Sequence, residues 1–285
     1  FNGKGHSILN LNISKASDYT GLFGSVNEGS VSDITVYGDI TVKNSASHIG
    51  GVVGYINLGS VKNVVSYVNI NNDKYGSQVT HAGGIIGSVG NDKTDIEKCM
   101  YYGNIHLNNS SDCIGGVIAY SNGGARVKNC ANLGTVTATQ SGAYVGGILG
   151  YLNNTNPTIE NCYNYTKISD NGSGSHCGAI IGWARNFNKS NIANNYYNKD
   201  TGNTPFGTDS KLGLSANEKT ISEFKCGEVA FKLNNGVTDG TQAWYQNIDN
   251  GLTPDDCPVF NGGTVYYADF DNTYSNFERT PDEFD

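Results

Sequence analysis

A short phrase of glycines and branched apolar residues recurs along this chain at a nearly constant interval, and no other feature restricts the possible folds as much. It reads GLFG from Gly21, GGVVG from Gly50, GGIIG from Gly83, GGVIA from Gly115, GGILG from Gly146 and GAIIG from Gly178. With Gly21, Gly51, Gly84, Gly116, Gly147 and Ala179 aligned, the steps are 30, 33, 32, 31 and 32 residues. A second phrase follows each time: VSDITVYGDI from Val31, VKNVVSYVNI from Val61, IEKCMYYGNI from Ile96, VKNCANLGTV from Val127 and IENCYNYTKI from Ile159. The second phrase starts earlier, at Ile8, and fades at Ile192, which makes seven copies with an incomplete first and a degenerate last.

Each copy holds short β-branched runs between Gly and Asn clusters and lacks the periodicity of a ten-residue helix. One such unit cannot close a core. Copies stacked at about 4.8 Å pair each strand with its equivalents above and below, so seven coils rise roughly 30 Å. The expected fold is all-β: a parallel β-helix, or β-solenoid, of about six to seven coils. A propeller blade needs about 40 residues and four strands, more than this period holds.

The columns agree with stacking. The fourth position of the second phrase reads Leu11, Ile34, Val64, Cys99, Cys130, Cys162 and Asn195, an inward apolar column with cysteines as small hydrophobes. The second position reads Ser32, Lys62, Glu97, Lys128 and Glu160, alternating in sign where it must face water. The third reads Asn10, Asp33, Asn63, Lys98, Asn129, Asn161 and Asn194, as expected of a corner with a left-handed backbone.

A formal charge of -8 opposes binding along a phosphate backbone, which argues against a nucleic-acid partner. No apolar run reaches the roughly 18 residues of a membrane span. The chain starts at Phe1 and ends without a closing element, as expected of a piece of a longer protein.

The combination G-[GL]-x-[VIL]-G followed by [VI]-x-N-C-x-x-x-G-x-[IV] resembles the GLUG-motif repeats of bacterial surface proteins, over residues 1–198. Gly21-Leu22-Phe23-Gly24 is nearly the namesake; Ala119, Ala179 and Lys98 depart from the pattern. In that family such repeats occur in adhesin-like proteins and beside immunoglobulin A1 protease domains, without assigned chemistry. The resemblance implies a non-catalytic module at the bacterial cell surface, for adhesion or for presenting flanking domains, with no cofactor. Its partners would be a host protein or glycan, or cell-wall polysaccharide. The alternative is a carbohydrate-active β-helix that binds or cleaves a polysaccharide. Residues 199–285 would form a small α+β cap over the last coil's open edge. A capping-box pattern at Ser215 and Glu218 predicts one or two short helices between 215 and 234. Short strands are expected at 243–248, 257–260 and 264–270.

Three groups of side chains are candidate sites, and two sets of carboxylates are not. The column before the glycine pair reads Asp18, His48, His81, Cys113, Tyr144 and His176, so His48, His81 and Cys113 could hold a metal ion; the competing reading is an exposed polar column. Tyr37, Tyr67, Tyr102 and Tyr165 share the seventh position and could face a sugar or a protein, although Leu133 within the column favours simple packing. A lyase would need clustered carboxylates, whereas Asp33, Asp39, Asp73, Asp95, Asp112 and Asp170 occupy different columns. The Asp269/Asp271 pair lacks the glycine and closing acid of a calcium loop. Cys226 and Cys257 are unusual for such a cap and are expected to form a disulfide, while Cys99, Cys130 and Cys162 stay reduced.

Overall fold

The structure is a computed structural model. It describes residues 1–72, 78–90, 93–108, 113–123, 125–139, 142–153, 157–170, 176–185, 192–207, 216–237, 240–248 and 255–260. Parallel strands wind into a β-solenoid of about five turns, with a few helices towards the C-terminus. Five turns close because the glycine phrase forms its own sheet only from Ile49–Gly50 through His81–Gly83, Cys113–Gly115 and Tyr144–Gly146 to Cys177–Gly178. The second phrase stacks further, from Asn2–Ile13 to Tyr196–Asn198.

What bends the strands is visible in the backbone. Asp33, Asn63, Lys98, Asn129, Asn161 and Asn194 all have φ between 52° and 55°, so the corner column is left-handed in six consecutive layers. Asparagine tolerates this region because its short amide bonds locally. Asn63 donates to Asp33 Oδ1 at 2.9 Å, and Asn194 to Asn161 Oδ1 at 2.8 Å, tying corners to one another. Just past the corner, the thiols of Cys99, Cys130 and Cys162 donate to the carbonyls of Glu97, Lys128 and Glu160 at 3.2 to 3.4 Å. Cysteine is thus a small apolar residue that also satisfies a buried corner carbonyl. In the last layer Asn195 takes the place of the cysteine, donating to the Ile159 carbonyl at 2.8 Å and accepting from the Cys162 amide at 3.0 Å.

The glycine column has a steric cause. A Cβ on Gly50, Gly83, Gly115, Gly146 or Gly178 would lie within 2.0 Å of the carbonyl oxygen three residues ahead. The tight turn from one sheet into the next therefore admits only hydrogen at that position. Turn interiors are filled by columns such as Ile40, Ile70, Ile105, Val136 and Ile168, all buried.

The charge column stacks as expected: Lys62 pairs with Glu97 at 3.3 Å and Lys128 with Glu160 at 2.8 Å, while Glu97 and Lys128 are opposite in register. The first copy requires correction. His6, not Leu11, lies opposite Ile34, and Leu11 lies opposite Gly38. Asn10 is left-handed (φ 61°) but sits apart from the Asp33 corner. Extra residues bulge out around Lys4–Gly5 and Leu9–Asn10, a shift that sets Ile8 on Val36 and Ile13 on Ile40.

Beyond residue 198 the chain still extends the stack. Thr204 and Pro205 accept from Ala179 and Ile180, and Asn217–Lys219 pairs with Tyr196–Asn198, so the last coil's open edge is covered at those positions. Helices follow at Ile221–Lys225 and Glu228–Leu233. The capping box is Thr220 with Glu223, while Glu218 belongs to a strand and Ser215 lies outside the described residues. Phe224, Val229, Leu233 and Trp244 then pack on the side of the solenoid, against Met100, Ala131, Tyr163 and Tyr196. The strands expected at 243–248 and 257–260 reduce to one antiparallel bridge, Tyr245 to Val259. The segment 264–270 lies outside the described residues, as do Asp73, Asp112, Asp269 and Asp271.

Candidate functional site

Two faces of the solenoid carry the candidate residues. On the first, Tyr37 and Tyr67 stack at 4.5 Å with planes 6° apart, and Tyr67 and Tyr102 at 4.8 Å and 10°. Tyr37 is 37% exposed, whereas Tyr102 packs under the cap and Tyr165 meets Phe224 edge-on at 5.2 Å. The four tyrosines share a column but not an environment. Burial raises the Tyr67 and Tyr102 hydroxyls above the ordinary phenol range. Because Tyr37, Tyr67 and Tyr102 lie face to face, the surfaces between them are used by one another, and Tyr37 ends the stack with a ring on one face.

Beside this column, a groove of about 580 Å³ runs between the solenoid and Phe260 of the cap, lined by Lys4, Asp33, Asn63 and Lys98 among others. Hydrogen bonds from Ser32 and Asn63 hold the Asp33 carboxyl below its ordinary range.

The second face carries a longer aromatic strip. The residue after the glycine phrase reads Ser25, Tyr55, Ser88, Tyr120, Tyr151 and Trp183, in register from coil to coil. It interleaves with the column before the glycine pair. Nine rings form one chain of contacts: Tyr19, His48, Tyr55, His81, Tyr120, Tyr151, Tyr144, Trp183 and His176. Only half of this strip follows from the pre-glycine column. The other half was open to view as the aromatic position after each phrase and was missed.

The column before the glycines begins at Tyr19 rather than Asp18, because the first turn is one residue shorter and sets Thr20 opposite Ile49. Asp18 instead accepts from the amide and hydroxyl of Ser47 at 2.7 and 3.1 Å.

At Ser88 the tyrosine column has a gap, and two imidazoles turn into it. His48 Nδ1 lies 2.7 Å from Ser88 Oγ, His81 Nδ1 lies 2.9 Å from the same oxygen, and the two nitrogens are 3.3 Å apart. His81 stacks on Tyr120 at 4.4 Å and 9°, and His48 on Tyr19 at 4.7 Å and 14°. Burial, then the neighbouring His48, pushes His81 down to about 4. Burial also lowers His48, with Asp18 opposing.

Cys113 is the register neighbour of His81 and is buried, yet among the described residues no three His, Cys, Asp or Glu side chains converge as a metal site. The set His48, His81 and Cys113 is therefore not assembled. The Cys226–Cys257 bridge is not formed either, since both residues are unbridged thiols. Cys226 donates to Glu223 O from the end of a helix, whereas Cys257 is buried in the cluster of Tyr163 and Trp244.

Comparison with known proteins finds no matching family model, no similar curated protein and no similar solved structure.

Proposed function

We propose that the chain is a non-catalytic module of an extracellular bacterial surface protein, serving adhesion or presenting the domains around it. The observation that carries this reading is how its surface groups are spent. Carboxylates that a sugar-cleaving enzyme would gather are bound to the adjacent coil: Asp33 accepts from Asn63, Asp39 from Asn69, and Asp95 pairs with Arg126 at 2.6 Å. Facing ring surfaces within the stacked pairs Tyr37–Tyr67, Tyr67–Tyr102, Tyr120–Tyr151 and Tyr151–Trp183 are likewise taken by one another. Such a surface stiffens a rod-like stack and leaves its outer edges for contact. The resemblance of its phrases to GLUG-motif repeats supports the same reading.

The test is incubation of the chain with a panel of polysaccharides and host-matrix proteins, measuring both retention and cleavage products. Retention of an intact ligand, or none with every ligand intact, accords with an adhesive or a presenting role respectively; new reducing or unsaturated sugar ends overturn the proposal. The groove with Lys4, Asp33 and Lys98 favours the second reading, a polysaccharide-binding or polysaccharide-cleaving face. On that reading Lys98→Ala abolishes cleavage, because a lysine there would be the base that takes a sugar proton.

A further inference from the structure

The gap at Ser88 assembles three electron-pair donors from two neighbouring coils. We propose that His48, His81 and Ser88 form a binding site for a divalent transition-metal cation of the class that prefers imidazole nitrogen, such as Zn2+. The separation of the two Nδ1 atoms, 3.3 Å, equals the edge of a tetrahedron whose metal–nitrogen bonds are about 2.0–2.1 Å long. A point at that bond length from all three donors lies about 1 Å out of their plane, so the triangle needs little rearrangement.

Three close contacts link Nδ1, Nδ1 and Oγ. With both rings neutral, the serine hydroxyl donates to one nitrogen and the other ring donates back to the serine, which fixes a different tautomer on each ring. A metal ion would take a lone pair from each of the three atoms in place of those two hydrogen bonds, with both rings carrying their proton on Nε2.

The surroundings preorganise the site. Ladder registers Ile49 to Ala82 and Tyr55 to Ser88 fix the two coils, and Tyr19 and Tyr120 hold the rings by their faces while leaving the nitrogen edges free. His48 is half-buried and Tyr19 above it is 50% exposed, which gives an ion and its remaining water ligands a path from solvent. Imidazole ligands with water suit Zn2+ or Cu2+ rather than the oxygen-seeking Mg2+ and Ca2+. The bound ion would staple the two coils together.

The experiment is thermal unfolding of the chelator-treated full chain during titration with Zn2+. A rise of the midpoint by several degrees is expected, growing with the logarithm of free Zn2+ once its concentration exceeds the dissociation constant. His48→Phe and His81→Phe, which keep a stacking ring but remove the nitrogen, should abolish the rise, and His176→Ala should keep it. A wild-type midpoint indifferent to millimolar Zn2+, or a rise that survives in both Phe variants, overturns the proposal. Should the variants not fold, electron paramagnetic resonance of the Cu2+-loaded wild type decides alone: hyperfine coupling to two nitrogens supports the site, and coupling to one or none overturns it.

Discussion

Replacing Gly115 by alanine tests the steric account of the coil most directly. The added Cβ would lie 1.9 Å from the carbonyl oxygen of Ile118, 2.6 Å from its carbon and 3.0 Å from the amide nitrogen of Gly150. All three are backbone atoms, so no side chain can swing away. Relief requires the turn to open by about 1 Å, at an overpacking cost of about 1–3 kcal/mol. Opening also strains the ladder bonds at Gly116 and Ile118, whose amides donate to Gly146 and Ile148 at 3.0 and 2.9 Å, adding about 1 kcal/mol each. The sum, about 3–5 kcal/mol, is a large part of a typical domain's stability. Urea unfolding followed by far-ultraviolet circular dichroism measures it. Ala119→Gly, at the phrase position that already carries alanine, should cost no more than about 1 kcal/mol. A Gly115→Ala midpoint equal to that of Ala119→Gly would refute the close approach as the reason for the column.

Lys62→Glu and Glu97→Lys should each destabilise by at most about 1 kcal/mol and largely restore stability in combination, because the pair is exposed and in register; a double-mutant cycle without coupling would contradict that register. Burial pushes the Glu223 carboxyl up, but hydrogen bonds from Lys219 and Thr220 outweigh it and hold the group down at about 2. Its contribution, about 2 kcal/mol after allowance for solvent, is complete above about pH 4.5 and is lost as pH falls towards 2; Glu223→Gln should flatten that acid limb of an unfolding titration. Cys99, Cys130 and Cys162 should resist alkylation in the native state and react only after unfolding, and non-reducing peptide mapping should find Cys226 and Cys257 unbridged.

The coil was legible because a solenoid repeats its environment. Val61, Ile96, Val127 and Ile159 face the same interior in successive turns, so each column is an independent repetition of one constraint. Even the left-handed corner was readable, since Asn recurs there and Lys98 shares its conformation. Both failures of alignment occur in the first turn. Its bulges at Lys4–Gly5 and Leu9–Asn10 and its shorter approach to Gly21 add or remove residues locally, and the spacing of the phrases alone does not show where. The cap repeats nothing, and its contacts, such as Trp244 Nε1 donating to the Asn161 carbonyl at 3.2 Å, join residues 83 positions apart that no local pattern relates.

The sites were legible only as far as column membership determines them. Membership places Tyr37, Tyr67, Tyr102 and Tyr165 in one line, yet exposure along that line depends on where the cap's Phe224 and Phe260 come to rest. It also sets His48, His81 and Cys113 in successive turns, but ligands need converging atoms, and side-chain direction depends on the adjacent column. Where that column offers Tyr55, Tyr120 or Tyr151, a ring fills the space; at Ser88 the small side chain lets two imidazoles turn inward together. Both proposed sites lie where one column breaks its pattern beside another, so the informative positions are the exceptions, Ser88 in an aromatic column and Lys98 in an asparagine one.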